Sequence, residues 1–283
     1  MRYLITGAGG MLGTDLRTAL AGRDVLSPTR VELDVTDLEA VRDATRGVDV
    51  VINAAAYTRV DDAEDDEAAA YAINATGARN VARAAAEAGA TLVHYSTDYV
   101  FDGTATTPYA ENAATHPVTA YGRTKEAGEK FVLADGPERT YLLRTAYLYG
   151  AHGPNFVRTM LRLAGERDTL NVVTDQVGQP TWTADVARQT VALLESDGQP
   201  GIYHATSAGS ASWFEFARAI FETAGLDPER VKPTDSHTYV QKAPRPAYSV
   251  LGHDAWGDAG LPELPDWRQA LQAAAKSGII GVQ

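Results

Sequence analysis

The chain of 283 residues is long enough to bury a large core, as one α/β domain or as such a domain with a smaller appendage. Its formal net charge of −12 argues against nonspecific nucleic-acid binding, and the absence of cysteine excludes disulfides, thiolate nucleophiles and cysteine metal sites. No run approaches the roughly 20 apolar residues that cross a bilayer, and the opening MRYLITGAGG passes into a core-strand pattern with no signal-peptide signature, so a cytoplasmic protein is expected.

Residues 2–6 (RYLIT) form a short apolar strand that stops at Gly-Ala-Gly-Gly, and a helical pattern follows from Met11 to about Ala21. Gly7, Gly10 and Gly13 keep a G-x-x-G-x-x-G spacing, with Gly9 inside it. Bare backbone in such a turn lets a pyrophosphate approach the amides of the helix N-terminus. The glycines could equally form a plain flexible turn; their place directly after the first strand favours dinucleotide binding.

A second strand ends near Val25-Leu26-Ser27. An NAD-preferring fold would place an acidic residue there for the ribose 2′-hydroxyl. The chain instead reads Ser27-Pro28-Thr29-Arg30, with no carboxylate before Glu32. Hydroxyls and Arg30 suit a 2′-phosphate, so NADPH is expected over NADH. Val31 to Val35 reads as a third short strand, with Asp34 placed to meet an adenine edge. Val48 to Ala54 is a buried strand type, and the small Ala54, Ala55 and Ala56 after it leave room for a cofactor close to the backbone.

The acidic run Asp61 to Glu67 reads as a solvated loop and helix start rather than a metal site. One Ala-rich helix is expected from Ala68 to Ala88, carrying Asn74. The next strand, Thr91 to Ser96, holds His94 as a packed core residue and delivers Thr97 and Asp98 to the carboxyl edge, where open α/β sheets bind ligands. After Pro117, a helix from Tyr121 to Leu133 puts Tyr121 and Lys125 four residues apart on one face. The ammonium should lower the phenol's pKa and suit it to general acid/base work. That spacing alone is common, and an ordinary amphipathic helix would also carry it.

Thr140 to Arg144 forms a further strand, after which the regular alternation loosens. Helices are expected at 155–164, 184–195 and 213–224 and from Trp267, a strand and loop at 172–181, a strand at 201–204, and a proline-rounded loop at 244–249. The fold class that follows is α/β: a Rossmann-like doubly wound parallel sheet in residues 1–150, with a smaller substrate-binding lobe in 151–283 interleaved with it.

With these residues assembled, the chain resembles the extended short-chain dehydrogenase/reductases, and within them the dTDP-4-dehydrorhamnose reductases. GAGGMLG at 7–13, NAAAYTRVDDAE at 53–64, HYSTDYVFDG at 94–103 and YGRTKEAGEK at 121–130 carry the resemblance. NFVRTMLRLA at 155–164, DQVGQPT at 175–181 and RPAYSVL at 245–251 extend it over nearly the whole chain. The resemblance implies NAD(P)H-dependent reduction of the 4-keto group of dTDP-4-dehydro-L-rhamnose. Tyr121 would protonate the sugar oxygen, Lys125 would bind the nicotinamide ribose and tune the tyrosine, and Thr97 would hydrogen-bond the reacting oxygen. Gly10, Met11, Leu12, Asp34, Val35, Ala56, Tyr57, Thr58 and Tyr95 fall at positions that bind cofactor in the family, and would complete the cofactor site with Gly7, Arg30, Ala54 and Ala55 as read above. Asp98, Tyr147 and Arg245 would join the substrate contacts.

Two departures qualify it. Tyr147 stands where the family often has tryptophan, which keeps an aromatic platform of different shape and hydrogen bonding. The acidic set that binds a metal at the dimer contact of some members has no convincing match, so no metal is expected and the oligomeric state, homodimer included, stays open. The related 4,6-dehydratases use Thr-Asp-Glu at the strand end; Thr97-Asp98-Tyr99 lacks that glutamate. A reductase or epimerase of another 4-keto nucleotide sugar shares the triad chemistry and remains an alternative. A noncatalytic NAD(P)-binding regulatory subunit is another, though it would not need Thr97, Tyr121 and Lys125 together.

Overall fold

The computed structural model describes residues 1–238 and 241–279. Six short, β-branched and apolar runs build one parallel sheet: β1 Arg2–Thr6, β2 Asp24–Leu26, β3 Val50–Asn53, β4 Thr91–Thr97, β5 Thr140–Thr145 and β6 Gly201–His204. Their order across the sheet is β6-β5-β4-β3-β1-β2, and every neighbouring pair is parallel. β3, β4 and β5 are almost wholly buried along their length, as expected of a sheet covered on both faces. Helices Met11–Ala19 and Thr183–Glu195 cover one face through Leu12, Leu16, Val186 and Leu193. Helices Leu38–Thr45, Ala78–Ala88 and Ala120–Asp135 cover the other through Val41, Val81, Ala85 and Val132. The doubly wound reading is therefore correct.

The chain leaves β1 toward β2 on one side and returns to β3 on the other, so the carboxyl ends of β1 and β3 flank a crevice at the switch point. A second core forms around Phe216, Ile220 and Trp267 from helices Phe156–Glu166, Trp213–Thr223 and Trp267–Lys276. β6 and helix Thr183–Glu195 come from the second half of the chain yet belong to the main sheet layers. Among the described residues no helix is long and apolar enough to cross a membrane.

Two elements depart from the sequence reading. Val31 to Val35 is a turn rather than a strand, and Val31 is 98% exposed. Local polar groups capture the backbone there: Thr29 N–H donates to the Glu32 carboxylate, and the Thr36 N–H and hydroxyl both donate to Asp34. The sheet consequently ends at β2. The long helix expected from Ala68 to Ala88 is Glu67–Tyr71 and Ala78–Ala88, joined by a π-helical segment over Ala72–Gly77. Such wide turns insert an extra residue and re-aim side chains, and Asn74 sits within this one.

Candidate active site

The crevice between β1 and β3 is closed around glycine. Gly7 adopts φ +69°, and a Cβ there would lie 2.6 Å from the Ala54 backbone. A Cβ at Gly13 would lie 2.3 Å from the Gly7 carbonyl oxygen, so the first helix rests directly on the turn. Only bare backbone fits at either place. The result is a pocket of about 220 Å³ lined by Gly7, Gly10, Arg30, Asp34, Val35, Ala54, Ala55 and Ala56, with Leu33 and Ile73. Its small walls and the Arg30 cation suit the adenosine end of a dinucleotide. The Asp34 carboxylate is held below its ordinary pKa by the backbone and side chain of Thr36, and stays ionised.

The other residues expected at the cofactor lie outside this pocket. Met11 opens the first helix and receives a weak bond from the Asn155 amide, 3.7 Å to sulfur. The Leu12 side chain is part of the core. Thr58 is exposed, and the Tyr57 ring lies under the Arg59 guanidinium at 5.0 Å. Tyr95 turns its ring into the core, where its hydroxyl pairs with Thr190 at 2.6 Å; its carbonyl, not its side chain, reaches the site.

Asn74, which the sequence reading noted without assigning a role, joins these parts. Its side chain accepts from Tyr57 N–H at 2.8 Å, and donates to the Tyr57 carbonyl and the Thr124 hydroxyl, both at 3.0 Å. Thr124 in turn donates to the Tyr121 carbonyl at 2.8 Å. The loop after β3 is thus tied to the helix carrying Tyr121 and Lys125.

That helix, Ala120–Asp135, is capped by the Thr119 hydroxyl, which accepts from Gly122 N–H at 2.9 Å. Glu64 accepts from Ala120 N–H at 2.8 Å, and Glu67 pairs with Arg123. The acidic run opens two short helices, as expected, and Asp62, Asp65 and Asp66 are exposed, but several of its carboxylates also hold partners. Asp61 binds Arg245 and the Ala243 N–H, and Asp65 binds Lys242. Sequence could not show those partners, which lie far along the chain. Among the described residues no group of three acidic, histidine or cysteine side chains is placed to hold a metal.

Thr97, Tyr121 and Lys125 converge at the carboxyl end of β4. The Thr97 hydroxyl faces the Tyr121 phenol and donates to Asp98 at 3.0 Å. Ser249 donates to the other Asp98 oxygen at 2.6 Å. Asp98 is buried, and burial pushes its carboxyl up to about 6 against the pull of those hydroxyls. Lys125 donates to the Tyr95 carbonyl at 2.6 Å. Burial brings its ammonium down to about 8, with Glu129 opposing.

The lowered pKa expected of Tyr121 is not what the structure holds. Burial raises the phenol well above its ordinary value, and only the Thr97 hydroxyl pulls it down. Lys125 is spent on a carbonyl, and desolvation of the phenolate dominates. Beneath the triad, Glu129 and Arg144 form a buried bidentate pair at 2.8 and 2.9 Å, and the Arg144 guanidinium lies 5.0 Å from the Phe101 ring centre. His94 is buried in the sheet, where it accepts from the Asn53 amide at 3.0 Å.

Tyr147 has φ +46°, and its ring stacks on Trp213 at 3.8 Å and 8°. Gly178 makes the room: a Cβ there would stand 2.6 Å from the ring. Trp213, Tyr99, Phe156, Met160, Asn171, Gln176, Arg167 and Arg245 line a cavity of about 460 Å³ alongside. Trp213 and Gln176 had no role from sequence; the hint available was the aromatic cluster Trp213-Phe214-Glu215-Phe216 opening a helix.

Residues 1–279 match the family model described as the RmlD substrate binding domain. A dTDP-4-keto-6-deoxy-D-glucose reductase of Streptomyces niveus is 50% identical over 96% of this chain and 96% of its own length. A dTDP-4-dehydrorhamnose reductase of Mycolicibacterium smegmatis is 48% identical, covering 99% of this chain and 86% of that protein. The crystal structure of a dTDP-4-dehydrorhamnose reductase from Bacillus anthracis in complex with NADP superposes with a TM-score of 0.94 at 39% identity, over 98% of this chain and 99% of that one.

Proposed function

The chain belongs to the RmlD substrate binding domain family, and from that premise we propose that it reduces the 4-keto group of dTDP-4-dehydro-L-rhamnose to give dTDP-L-rhamnose, using NADPH. The observation that carries the reading is the convergence of Thr97, Tyr121 and Lys125 beside the glycine-walled crevice. The crevice fits a dinucleotide: Gly7 and Gly13 leave open what a Cβ would fill, and Arg30 offers its charge at the adenosine end. The dinucleotide supplies the hydride for carbon 4.

The protein's part is to hold the ketone and deliver a proton. Thr97 turns its hydroxyl from Asp98 to donate to the ketone oxygen, and Tyr121 donates its phenolic proton to that oxygen as the alkoxide develops. Tyr121 is protonated at neutral pH, as a donor must be, and burial makes it a weaker acid than a free phenol. The O–H bond breaks, the carbinol O–H forms, and the phenolate left behind, favoured by the adjacent Thr97 hydroxyl, regains its proton from solvent. Tyr147 and Trp213 wall the sugar side. Tyr99, Trp213 and the two arginines of the 460 Å³ cavity suit a thymine base and its diphosphate.

NADPH oxidation with enzymatically generated dTDP-4-dehydrorhamnose tests the reading. Wild type should turn over, and Tyr121→Phe should lose about 100- to 10,000-fold in rate. No NADPH consumption by the wild type refutes it. A second reading, reduction of dTDP-4-keto-6-deoxy-D-glucose, is favoured by the name of the Streptomyces niveus relative. A product assay on both ketosugars decides between them.

A further inference from the structure

We propose that Asp61 is a positioning residue for substrate: its carboxylate fixes Arg245, and the loop that carries it, at the wall of the nucleotide cavity. The inference rests on the reading that a nucleotide diphosphate occupies that cavity, and it adds a residue that touches neither substrate nor cofactor.

Asp61 uses both oxygens across 184 residues of sequence. One accepts from the Arg245 guanidinium at 2.6 Å, and the other from the Ala243 N–H at 3.0 Å, two residues earlier on the same loop. A second ion pair, Asp65 to Lys242, lies one helical turn further along. Arg245 also donates to the Ala243 carbonyl at 3.3 Å, so guanidinium, loop backbone and carboxylate close a small ring of contacts. The Arg245 side chain is only 13% exposed and lines the cavity with Tyr99 and Trp213. Its charge reaches the Tyr99 and Tyr147 phenols. Two of its five N–H donors are occupied by Asp61 and Ala243, which leaves the rest of the fork for an anion.

A long arginine on a loop otherwise loses side-chain and backbone freedom when it grips a phosphate, and that cost weakens binding. Asp61 pays it in advance. Its own helix, Val60–Asp65, follows the Tyr57–Thr58 loop directly and also supplies Glu64 to the start of the catalytic helix. The anchor for the substrate loop is thereby the same rigid piece that braces the catalytic helix.

A double-mutant cycle on Asp61 and Arg245, read by calorimetric titration of the full chain with thymidine diphosphate, tests this. Asp61→Ala and Arg245→Ala should each weaken binding about tenfold or more, as for loss of a charge-assisted hydrogen bond. The double variant should bind no more weakly than Arg245→Ala, because Asp61 acts through that arginine. NADPH affinity should not change, and in turnover the Asp61→Ala effect should fall on KM rather than kcat. Unaltered diphosphate affinity in Asp61→Ala, or single effects that multiply in the double variant, overturns the proposal while leaving the reductase reading intact. Failure of the wild type to bind thymidine diphosphate while still binding NADPH overturns both. Should Asp61→Ala fold poorly, Asp61→Asn keeps an acceptor for Ala243 and loses the charge; wild-type affinity in it refutes the role equally.

Discussion

Gly128 offers a direct test of how the helix that carries Tyr121 and Lys125 is held. A Cβ at that position would lie 2.1 Å from the Asn74 carbonyl oxygen, inside the π-helical segment. Restoring an ordinary 3.4 Å contact would need about 1.3 Å of separation between the two helices. Overpacking of this kind costs about 1–3 kcal/mol, partly offset by up to about 1 kcal/mol gained from alanine's helix propensity. The net loss for Gly128→Ala should be about 0–3 kcal/mol. Catalysis should suffer more. Lys125 lies one turn away on the same helix, and Asn74 holds both the Tyr57 loop and Thr124. A displacement of about 1 Å at reacting groups costs roughly 100-fold in rate. Thermal melting and steady-state NADPH oxidation would be compared with Gly165→Ala, a helical glycine whose Cβ would meet nothing within 4 Å. The reasoning fails if Gly128→Ala keeps the wild-type kcat and melts with Gly165→Ala.

Glu129→Gln should cost about 3–5 kcal/mol in urea unfolding, because it strands the buried Arg144 charge, whereas replacing both residues by methionine should recover most of it; equal losses in the two variants would refute this. Lys125 sits at about 8 when folded against 10.5 ordinarily, so above pH 8 the unfolded chain binds the extra proton and this group makes stability rise with pH toward 10.5. The urea midpoint should show that slope in wild type and lose it in Lys125→Met. The rate should move oppositely, with kcat/KM falling above about pH 8 as the ammonium is lost. Arg30→Asp should shift the NADPH/NADH ratio of kcat/KM toward NADH, and an unchanged ratio would remove Arg30 from the cofactor site.

Much of the architecture is written in local pattern. The runs RYLIT, VVIN, TLVHYST and TYLLRT bury nearly every residue, so each specifies a central strand without help from its neighbours. The glycine spacing and the four-residue step from Tyr121 to Lys125 are short-range geometry, and the structure places them as spacing alone required. Where local signals were polar, the reading failed. Val31 to Val35 alternates like a strand, yet Asp34 and Glu32 satisfy the backbone within the turn itself.

What only the tertiary structure decided is whatever depends on partners distant in the chain. The acidic run is a largely exposed helix start, as its local pattern indicates, but the cations it also holds lie at 123 and at 242–245. The π-helical turn at Ala72–Gly77 answers to the close approach of Gly128, 54 residues past Asn74. The protonation of Tyr121 followed the same rule: its neighbour four residues on predicted a lowered pKa, but burial, which sums over the whole packed site, raised it. Sequence fixes periodicity through contacts of two to four residues. Desolvation and charge pairing depend on what the completed fold brings within a few ångströms, and that no local spacing encodes.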